Sequence, residues 1–292
     1  MNSSVLLNKK PLVSVLLPSY NHEGYIREAI DSIIQQTYSN IELIVIDDGS
    51  SDKSKDIIYE LSRVHGFKFI SRANQGLIHT LEQLLRLVSP NSDYISLFSS
   101  DDLYHERKIE VLVDTLEKNK NASVAYSKIS IIDSNSKVKR EICEDYHSGD
   151  IFDDLLYGRY SINGIGTLVR TGVYKEIERE EMYVDDFQLW LKIAERHKFI
   201  YVNECLSFYR LHNNHKSSNV FEMQKGELLT ILKYKERQDF QDVISAWNIR
   251  WFGLFARKHK AYAIRYYLPK ILVLKNFTKL RFYRSLVKLF LK

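Results

Sequence analysis

Residues Val13–Ser54 decide the fold of this chain and read VSVLLPSYNHEGYIREAIDSIIQQTYSNIELIVIDDGSSDKS. Two short apolar runs, Leu12–Leu17 and Ile41–Ile46, lie on either side of Glu23–Gln36, in which apolar residues recur at helical spacing. Short buried runs that alternate with an amphipathic helix are typical of a βαβ unit, in which the two strands are parallel. The stretch therefore predicts the first part of a parallel α/β sheet.

The alternation of strands and helices continues to about Ser123 and then loosens. We expect an α/β domain over residues 1–220, with a mainly parallel sheet flanked by helices. From about Phe221 the apolar spacing predicts a helical, basic and aromatic C-terminal extension over residues 221–292. The further predicted segments are helix 52–64, strand 67–70, helix 77–88, strand 94–98, helix 106–118, strand 124–132, a loop or irregular hairpin over 133–146, helix 185–196 and strand 199–202.

The charges are divided unevenly along the 292 residues. The net charge is +5, but no Asp or Glu follows Asp242, and twelve Lys or Arg lie between that residue and the end of the chain. The rest of the chain has a balance of −7. A uniformly basic nucleic-acid-binding protein does not have this division, and we predict no nucleic-acid partner.

Neither the cysteines nor the apolar runs indicate an exported or membrane-spanning protein. Cys143 and Cys205 are far apart and form no metal-binding pair, which favours a reducing cytosol. The first ten residues, MNSSVLLNKK, have the reverse order of a signal peptide. No apolar run approaches the roughly 18–20 residues of a membrane span. We expect a cytoplasmic protein that is soluble or lies on a membrane surface.

Polar residues follow three of the predicted strands. The first strand ends at Pro18–Asn21, the second runs into Asp47–Asp52 and the fourth into Ser99–Asp102. The carboxyl ends of parallel strands share one edge of a sheet, so we expect these loops to lie together. Turns and helix caps explain one such loop, but paired carboxylates in two loops raise each other's pKa unless a cation relieves the repulsion. Asp101–Asp102 thus predicts Mg²⁺ or Mn²⁺ bound with phosphates, and Asp48 a hydrogen bond to a base or ribose.

Five segments, in this order, resemble the inverting glycosyltransferases of family 2. They are Val13–Ser54, Arg72–Leu77, Ser99–Asp102 at the family's DXD position, the acidic helical segment Val184–Trp190, and Tyr209–His212 with Ser217 and Ser218 behind it. The resemblance covers about residues 11–218. It implies the GT-A fold of nucleotide-diphospho-sugar transferases. It also implies a metal-dependent, inverting sugar transfer from a nucleoside-diphosphate sugar, expected to be a UDP-sugar, to a glycan or lipid-linked acceptor in bacterial surface-polysaccharide synthesis.

The resemblance assigns nucleotide-binding roles to residues at the ends of the strands. Pro18 and Tyr20 match positions that hold and stack the base. Asp48 matches the aspartate that bonds the base, and Arg72 lies in a loop near the nucleotide. Asp101 matches a carboxylate that contacts the ribose or the metal.

The resemblance also implies metal ligands and a catalytic base. Asp101, Asp102 and His212 match the family's metal site, which would hold Mn²⁺ or Mg²⁺. Asp186 matches the base that activates the acceptor, and Asp185 its acidic neighbour. A carboxylate in that role removes the proton of the attacking hydroxyl, while a cation stabilises the leaving diphosphate.

Two positions depart from the family pattern, and three histidines fall outside it. Ser99 replaces the first Asp of the DXD motif, which predicts lower metal affinity or different ribose contacts. Asp185 replaces a Glu, which leaves open which of the two adjacent aspartates is the base. We expect His22, His79 and His105 to be solvated or structural.

The basic tail has two interpretations. In its last part, Leu280, Tyr283, Leu286, Val287, Phe290 and Leu291 recur at helical spacing among Lys and Arg. Such a helix can lie on an anionic leaflet, which would place the protein on the inner face of the cell membrane next to a lipid-linked acceptor. Alternatively, the helices pack on the α/β domain and leave a solvated basic face, or they form a homodimer interface.

Other function classes fit the sequence less well. A receiver-like signalling domain also has an acidic pocket on a parallel sheet, but here the acidic pair follows the second strand and the chain is too long. A membrane-associated scaffold with a degraded GT-A fold has only Ser99 in its favour. A nucleotidyltransferase lacks its early Gly-rich loop, and a dinucleotide-binding dehydrogenase lacks GxGxxG after the first strand.

Overall fold

The computed structural model describes residues 10–142, 144–177, 185–212 and 219–290, without the side chain of Asp185. Within these ranges, nine strands form one sheet in the order β3-β2-β1-β4-β8-β6-β9-β5, with β7 paired to β6. The strands are β1 (Val13–Ser19), β2 (Ile41–Asp47), β3 (Lys68–Ser71), β4 (Tyr94–Leu97), β5 (Leu103–Tyr104), β6 (Ala122–Ile132), β7 (Val138–Glu141), β8 (Thr167–Arg170) and β9 (Lys198–Arg210).

Helices connect the strands and form the C-terminal part of the chain. They are α1 (Ile26–Ile34), α2 (Ser54–His65), α3 (Leu77–Leu87), α4 (Lys108–Lys118), α5 (Phe152–Leu156), α6 (Thr171–Glu176), α7 (Asp185–Ala194), α8 (Val220–Leu232), α9 (Phe240–Lys258), α10 (Lys260–Tyr262), α11 (Leu268–Ile271) and α12 (Leu280–Val287). A π-helical turn over Ala263–Tyr267 joins α10 to α11. The α/β pattern and the helical C-terminal part confirm the predicted fold class.

The sheet has a parallel half and a mixed half. Strands β3, β2, β1 and β4 are all parallel, which the repeated βαβ pattern predicts. Beyond β4 the direction changes, because β8 is antiparallel to both β4 and β6. Strand β9 then runs parallel to β6 and antiparallel to β5. This last pairing returns the chain to the loop that follows β4.

The core lies on both faces of the parallel half, because side chains of a strand point alternately to the two faces. On one face the odd-numbered residues Val13, Val15 and Leu17 are fully buried against apolar residues of α1, α2 and α4. On the other face, β1 and β2 contact α3. Helices cover both faces of the parallel half of the sheet, so its strands are continuous apolar runs. This apolar composition makes the strands recognisable in the sequence.

Two elements differ from their predicted extent. The strand predicted over residues 199–202 runs on to Arg210, because it pairs with β6 along its length with register shifts near Ser127 and Lys128. The segment predicted as a loop or irregular hairpin is a hairpin, in which β7 pairs with β6. The longer β9 matters for function because its carboxyl end carries the Tyr209–His212 motif.

The described residues divide into two compact units. The first holds residues 10–142, 144–151, 162–177 and 192–212, and the second 152–161, 185–191 and 219–290. The second unit is built around α9, whose buried residues include Trp247, Trp251 and Phe255. A domain boundary at residue 220 stays a prediction. Within the described ranges, no helix combines the length and the apolar character needed to cross a lipid bilayer.

Candidate active site at the carboxyl ends of the parallel strands

The loops that follow β1 and β2 form a shared rim, as the parallel arrangement predicts. Ser19, the last residue of β1, is in register with Asp47, the last residue of β2. Asn21 has a left-handed backbone (φ 52°), and its amide donates to Ser50 Oγ at 2.9 Å while its side-chain oxygen accepts from the Ser51 amide at 2.8 Å. These reciprocal bonds hold the two loops side by side.

Asp48 and Arg72 form a buried ion pair on this rim. Arg72 Nη1 donates to Asp48 Oδ1, and both side chains are almost excluded from solvent. The Asp48 carboxylate also accepts from the backbone amides of Gln75 (2.9 Å) and Gly76 (3.0 Å). Arg72 is held in turn by Thr80 Oγ1 of α3, at 2.8 Å. The pair therefore fixes the loop after β3 against the loop after β2.

The neighbouring Asp47 has a different role from Asp48. Its carboxylate accepts from the Ser50 amide at 3.1 Å and from Ser50 Oγ at 2.5 Å, so it caps the turn. Gly49 within that turn has φ 77°, and a Cβ there would stand 2.6 Å from the backbone nitrogen of Asn74. Only glycine allows this approach. The charges of Asp47 and Asp48 are thus stabilised by separate hydrogen-bond partners.

A second polar cluster brings together residues from three distant parts of the chain. His212 Nε2 lies 2.9 Å from Asp101 Oδ2, and His22 Nε2 lies 4.0 Å from the same oxygen. One potential ligand atom of each residue lies within 4.8 Å of the other two. His22 Nδ1 forms a 2.7 Å hydrogen bond with Ser100 Oγ. The loops after β1 and β4 and the end of β9 therefore meet at one point.

The residues of this cluster fit a divalent transition-metal ion. Two imidazoles and one carboxylate are a common ligand set for such ions. Burial lowers the pKa of His22, while the Asp101 carboxylate offsets part of this effect, so the imidazole favours its neutral, ligating form. Asp101 and His212, the two predicted ligands within this cluster, would hold the ion.

Asp102 is buried beside the cluster and has a backbone partner. Its Oδ1 accepts from the amide of Arg210 at 2.8 Å. The Arg210 side chain is fully buried, and its Nε donates to the Asp101 carbonyl at 2.6 Å. Its other nitrogens donate to Glu28 Oε2 (2.8 Å) and Ser136 Oγ (2.8 Å). Asp102 lies outside the three-residue ligand group, and its role as a metal ligand stays a prediction.

The other predicted site residues are distributed over both units. Pro18 lies within β1, and the Tyr20 side chain is half exposed on the rim, where it is accessible for stacking. Asp186 is half-buried in the first turn of α7, in the second unit. Ser217 and Ser218 and the side chain of Asp185 lie outside the described residues.

The comparison with known families decides the identity. The sequence profile of "Glycosyl transferase family 2" matches residues 14–176, more than half of the chain. The chain belongs to glycosyl transferase family 2. In this family 2 member, the matched region includes the Asp48–Arg72 pair and Asp101, and it ends before α7 and before His212.

Curated relatives agree with the family. An uncharacterized glycosyltransferase of Haemophilus influenzae is 33% identical over 241 residues, which are 76% of this chain and 72% of that protein. WfgD of Escherichia coli, named as a UDP-Glc:α-D-GlcNAc-diphosphoundecaprenol β-1,3-glucosyltransferase, is 31% identical over 74% of this chain and 83% of its own length. Other relatives are longer, and the chain covers 65% of one from Rickettsia typhi and 31% of one from Rickettsia bellii.

Two solved structures share the fold of this chain. TarS of S. aureus (residues 1–349), in complex with UDP-GlcNAc, superposes with a TM-score of 0.61 at 16% identity, covering 95% of this chain and 88% of the other. The mannosyltransferase PcManGT of Pyrobaculum calidifontis, in complex with GDP-Man and Mn²⁺, gives 0.59 at 13% identity, covering 97% and 88%. At these identities the likeness shows the GT-A fold.

The sequence did not reveal the positions of two residues at the Asp101–His212 cluster, His22 and Arg210. His22 was expected to be solvated or structural, yet it lies beside Asp101 and His212. The signal available in sequence was its position, two residues after Tyr20 in the loop that follows the first strand. In the sequence, Arg210 stands out only as part of the Tyr209–His212 motif, because its contacts depend on burial that no local pattern indicates.

Proposed function

We propose that this chain transfers a sugar from a nucleoside-diphosphate sugar to a hydroxyl of a glycan or lipid-linked acceptor, with inversion and with a divalent cation. The observation that supports this most strongly is the rim itself, where the Asp48–Arg72 pair and the Asp101–His212 pair lie on loops of the same sheet edge. The carboxyl ends of parallel strands are where α/β sheets bind ligands, and carboxylates there supply oxygen ligands for the cation that a diphosphate carries.

The proposed roles follow from the contacts. Tyr20 stacks on the base beside Pro18, because the Tyr20 ring is half exposed at the rim. Asp48 and Arg72 shape the base and ribose pocket. Asp101 and His212, with Asp102 behind them, hold the cation, which when bound acts as a Lewis acid toward the diphosphate.

The transfer is a single displacement. The acceptor oxygen forms a bond to the anomeric carbon as the bond from that carbon to the diphosphate oxygen breaks, and its electron pair leaves with the nucleoside diphosphate. The acceptor proton passes to a carboxylate, for which we propose Asp186 with Asp185 as its neighbour, on the resemblance to the family. Attack opposite to the leaving group inverts the anomeric centre, and no nucleophile of the protein is required.

The donor and acceptor classes rest on relatives. TarS is described in complex with UDP-GlcNAc and WfgD is named as using UDP-Glc, which supports a UDP-sugar donor here. The name of WfgD contains a diphosphoundecaprenol acceptor, which supports a lipid-linked acceptor and a place at the inner face of the cell membrane.

The C-terminal helix α12 supports a membrane-surface location. One sector of this helix buries Phe282 and Ser285. A second sector exposes Leu280, Tyr283 and Val287, and Phe290 continues it at 84% exposure. We call these four residues the apolar stripe. Of the cations between the two sectors, Arg284 is exposed, whereas Arg281 donates to the carbonyls of Gly158 (3.0 Å) and Arg159 (2.7 Å). The apolar stripe with Arg284 beside it is suited to an anionic lipid surface.

The experiment that tests the proposed function is calorimetric titration with UDP, GDP, dTDP and CDP, each with Mn²⁺ and with EDTA. We expect one nucleotide to bind in a metal-dependent way, and Asp101→Asn to abolish that binding. Asp114→Asn, an exposed carboxylate on α4, is the matched control and should bind like the wild type. Absence of binding by the folded wild type with every nucleotide would support the non-catalytic scaffold.

A further inference from the structure

We propose that His22 is a direct metal ligand, and that it makes the site prefer Mn²⁺ to Mg²⁺. This inference rests on the proposed function, because it concerns the cation held by Asp101 and His212. It goes further because it adds a ligand from the loop after β1 and because it explains why the site would select one metal ion over another.

The geometry places His22 within reach of a shared ion. Its Nε2 lies 4.0 Å from Asp101 Oδ2, the oxygen that is 2.9 Å from His212 Nε2. The two imidazole rings are perpendicular, at 88°, with centroids 5.6 Å apart. Ligand atoms that are each about 2.1 Å from one ion stand about 3–4 Å apart. The three side chains therefore need only small rotations to bind one ion.

Ser100 orients the His22 ring for this role. The 2.7 Å contact to Ser100 Oγ involves Nδ1, which leaves Nε2 as the ring nitrogen nearer to Asp101. When Nδ1–H donates to Ser100, the lone pair of Nε2 is directed at Asp101 and His212. A hydrogen bond from the second ring nitrogen is the usual way in which proteins fix a ligating histidine. The backbone of His22 is held as well, since its amide donates to Ser54 Oγ at 2.9 Å.

The donor atoms determine the metal preference. Mg²⁺ binds oxygen ligands almost exclusively, whereas Mn²⁺ and later transition ions also accept imidazole nitrogen. The Ser99 substitution removes one carboxylate from the DXD position, and His22 brings in a nitrogen ligand. The exchange of an oxygen for a nitrogen lowers the affinity for Mg²⁺ more than the affinity for Mn²⁺.

A purely structural role makes a different prediction. If His22 only braces Ser100, its removal changes loop stability and leaves the coordination of the ion unchanged. The number of imidazole nitrogens bound to Mn²⁺ separates the two roles, because only a ligand contributes to it.

The experiment titrates Mn²⁺ into the full chain and follows the electron paramagnetic resonance signal of free Mn²⁺, with and without UDP. The variants are His22→Ala, Ser100→Ala and, as a matched control, His79→Ala, an exposed histidine on α3. Electron spin-echo modulation from ¹⁴N counts coordinated imidazoles, and competition with Mg²⁺ gives the selectivity. Circular dichroism verifies that each variant is folded.

We expect His22→Ala to weaken Mn²⁺ binding by about tenfold or more. The spin-echo pattern of the variant should show one coordinated imidazole fewer. The ratio of its Mn²⁺ affinity to its Mg²⁺ affinity should be smaller than that of the wild type. Ser100→Ala should weaken Mn²⁺ binding less, and His79→Ala should match the wild type. If His22→Ala retains wild-type Mn²⁺ binding and spin-echo pattern while Asp101→Asn loses them, the ligand assignment is wrong and the metal site stands. If the wild type binds no Mn²⁺ even with nucleotide, both proposals fail.

Discussion

Arg210 Nε donates a 2.6 Å hydrogen bond to the carbonyl oxygen of Asp101, which lies 109 positions earlier in the sequence, and the Arg210 amide donates to Asp102 Oδ1 at 2.8 Å. The Arg210 guanidinium also lies over the Tyr25 ring, 4.8 Å from its centroid. The buried guanidinium of Arg210 thus connects the end of β9 to the acidic loop after β4. Through these bonds Arg210 positions the Asp101 backbone and the Asp102 carboxylate.

Replacing Arg210 should disturb both stability and metal binding. Arg210→Met leaves several acceptors without a charged donor, and we expect it to lower the free energy of unfolding by about 3 kcal/mol in urea titrations. Arg210→Lys retains the charge but cannot bridge the same acceptors, so Mn²⁺ binding should weaken several-fold in a folded protein. Arg63→Lys, on the exposed side of α2, is the control. Wild-type Mn²⁺ affinity in Arg210→Lys would exclude the positioning role.

Asp48→Asn should weaken nucleotide binding by about 10- to 100-fold. The substitution removes the charge that stabilises buried Arg72 and the bonds to the amides of Gln75 and Gly76, and charged hydrogen bonds contribute roughly 1.5–3 kcal/mol. Calorimetry with the preferred nucleotide measures the change. Asp56→Asn on α2 serves as the control. Metal binding without nucleotide should be unaffected, since Asp48 is not part of the ligand group.

Asp186→Asn should separate binding from chemistry. If Asp186 is the base, the variant binds nucleotide like the wild type, and the transfer rate falls by about 10²–10⁴-fold. The rate is measured as radiolabelled sugar moved to acceptor under single-turnover conditions. Asp185→Asn tests the neighbour in the same assay. Normal transfer by Asp186→Asn, with loss in Asp185→Asn, would reassign the base to Asp185.

Val287→Asp should release the protein from anionic vesicles. The substitution puts a negative charge into the apolar stripe. The variant would bury less apolar area in the membrane, and the anionic lipid head groups would repel the new carboxylate. We expect at least a tenfold weaker partition in co-sedimentation. A point substitution is preferable to truncation, because the tail also contributes buried Ile271, Asn276 and Phe282 to the second unit. Val64→Asp, at an exposed valine of α2, makes the same chemical change elsewhere. Equal sedimentation of the two variants would contradict the membrane role.

Lys108→Met should change how stability depends on pH. Burial lowers the pKa of Lys108 well below its usual value, so the folded state binds fewer protons than the unfolded state between the two pKa values. Stability of the wild type therefore rises as the pH increases toward the ordinary lysine pKa. Lys108→Met removes this dependence. Ser96 Oγ and the Thr167 carbonyl also lose the Nζ donor, at 2.8 Å and 3.2 Å, so we expect the variant to be less stable than the wild type at pH 9.5. Urea unfolding at pH 7 and pH 9.5 measures both effects. Lys118→Met, exposed on the same helix, should retain the wild-type slope.

The sequence by itself determined the α/β alternation, the parallel first half of the sheet and the loops that share its carboxyl edge. These features are local, because the spacing of apolar residues, the turn residues and the strand lengths decide them. The strands β1 and β2 are also easy to recognise, because both of their faces are buried and their residues are therefore apolar. The order of the five motifs also indicated the family. The sequence could not give the extent of β9, because that depends on its pairing with β6.

Only the tertiary structure decided which residues meet. His22, Ser100, Asp101 and His212 come together because β1 and β4 are adjacent parallel strands, and because β9 returns antiparallel to β5 with Leu103 opposite Phe208. A shift of one residue in that pairing would turn each side chain to the other face. The resemblance named Asp101 and His212 as ligands, whereas the presence of His22 beside them follows from strand register, which is a property of the whole sheet.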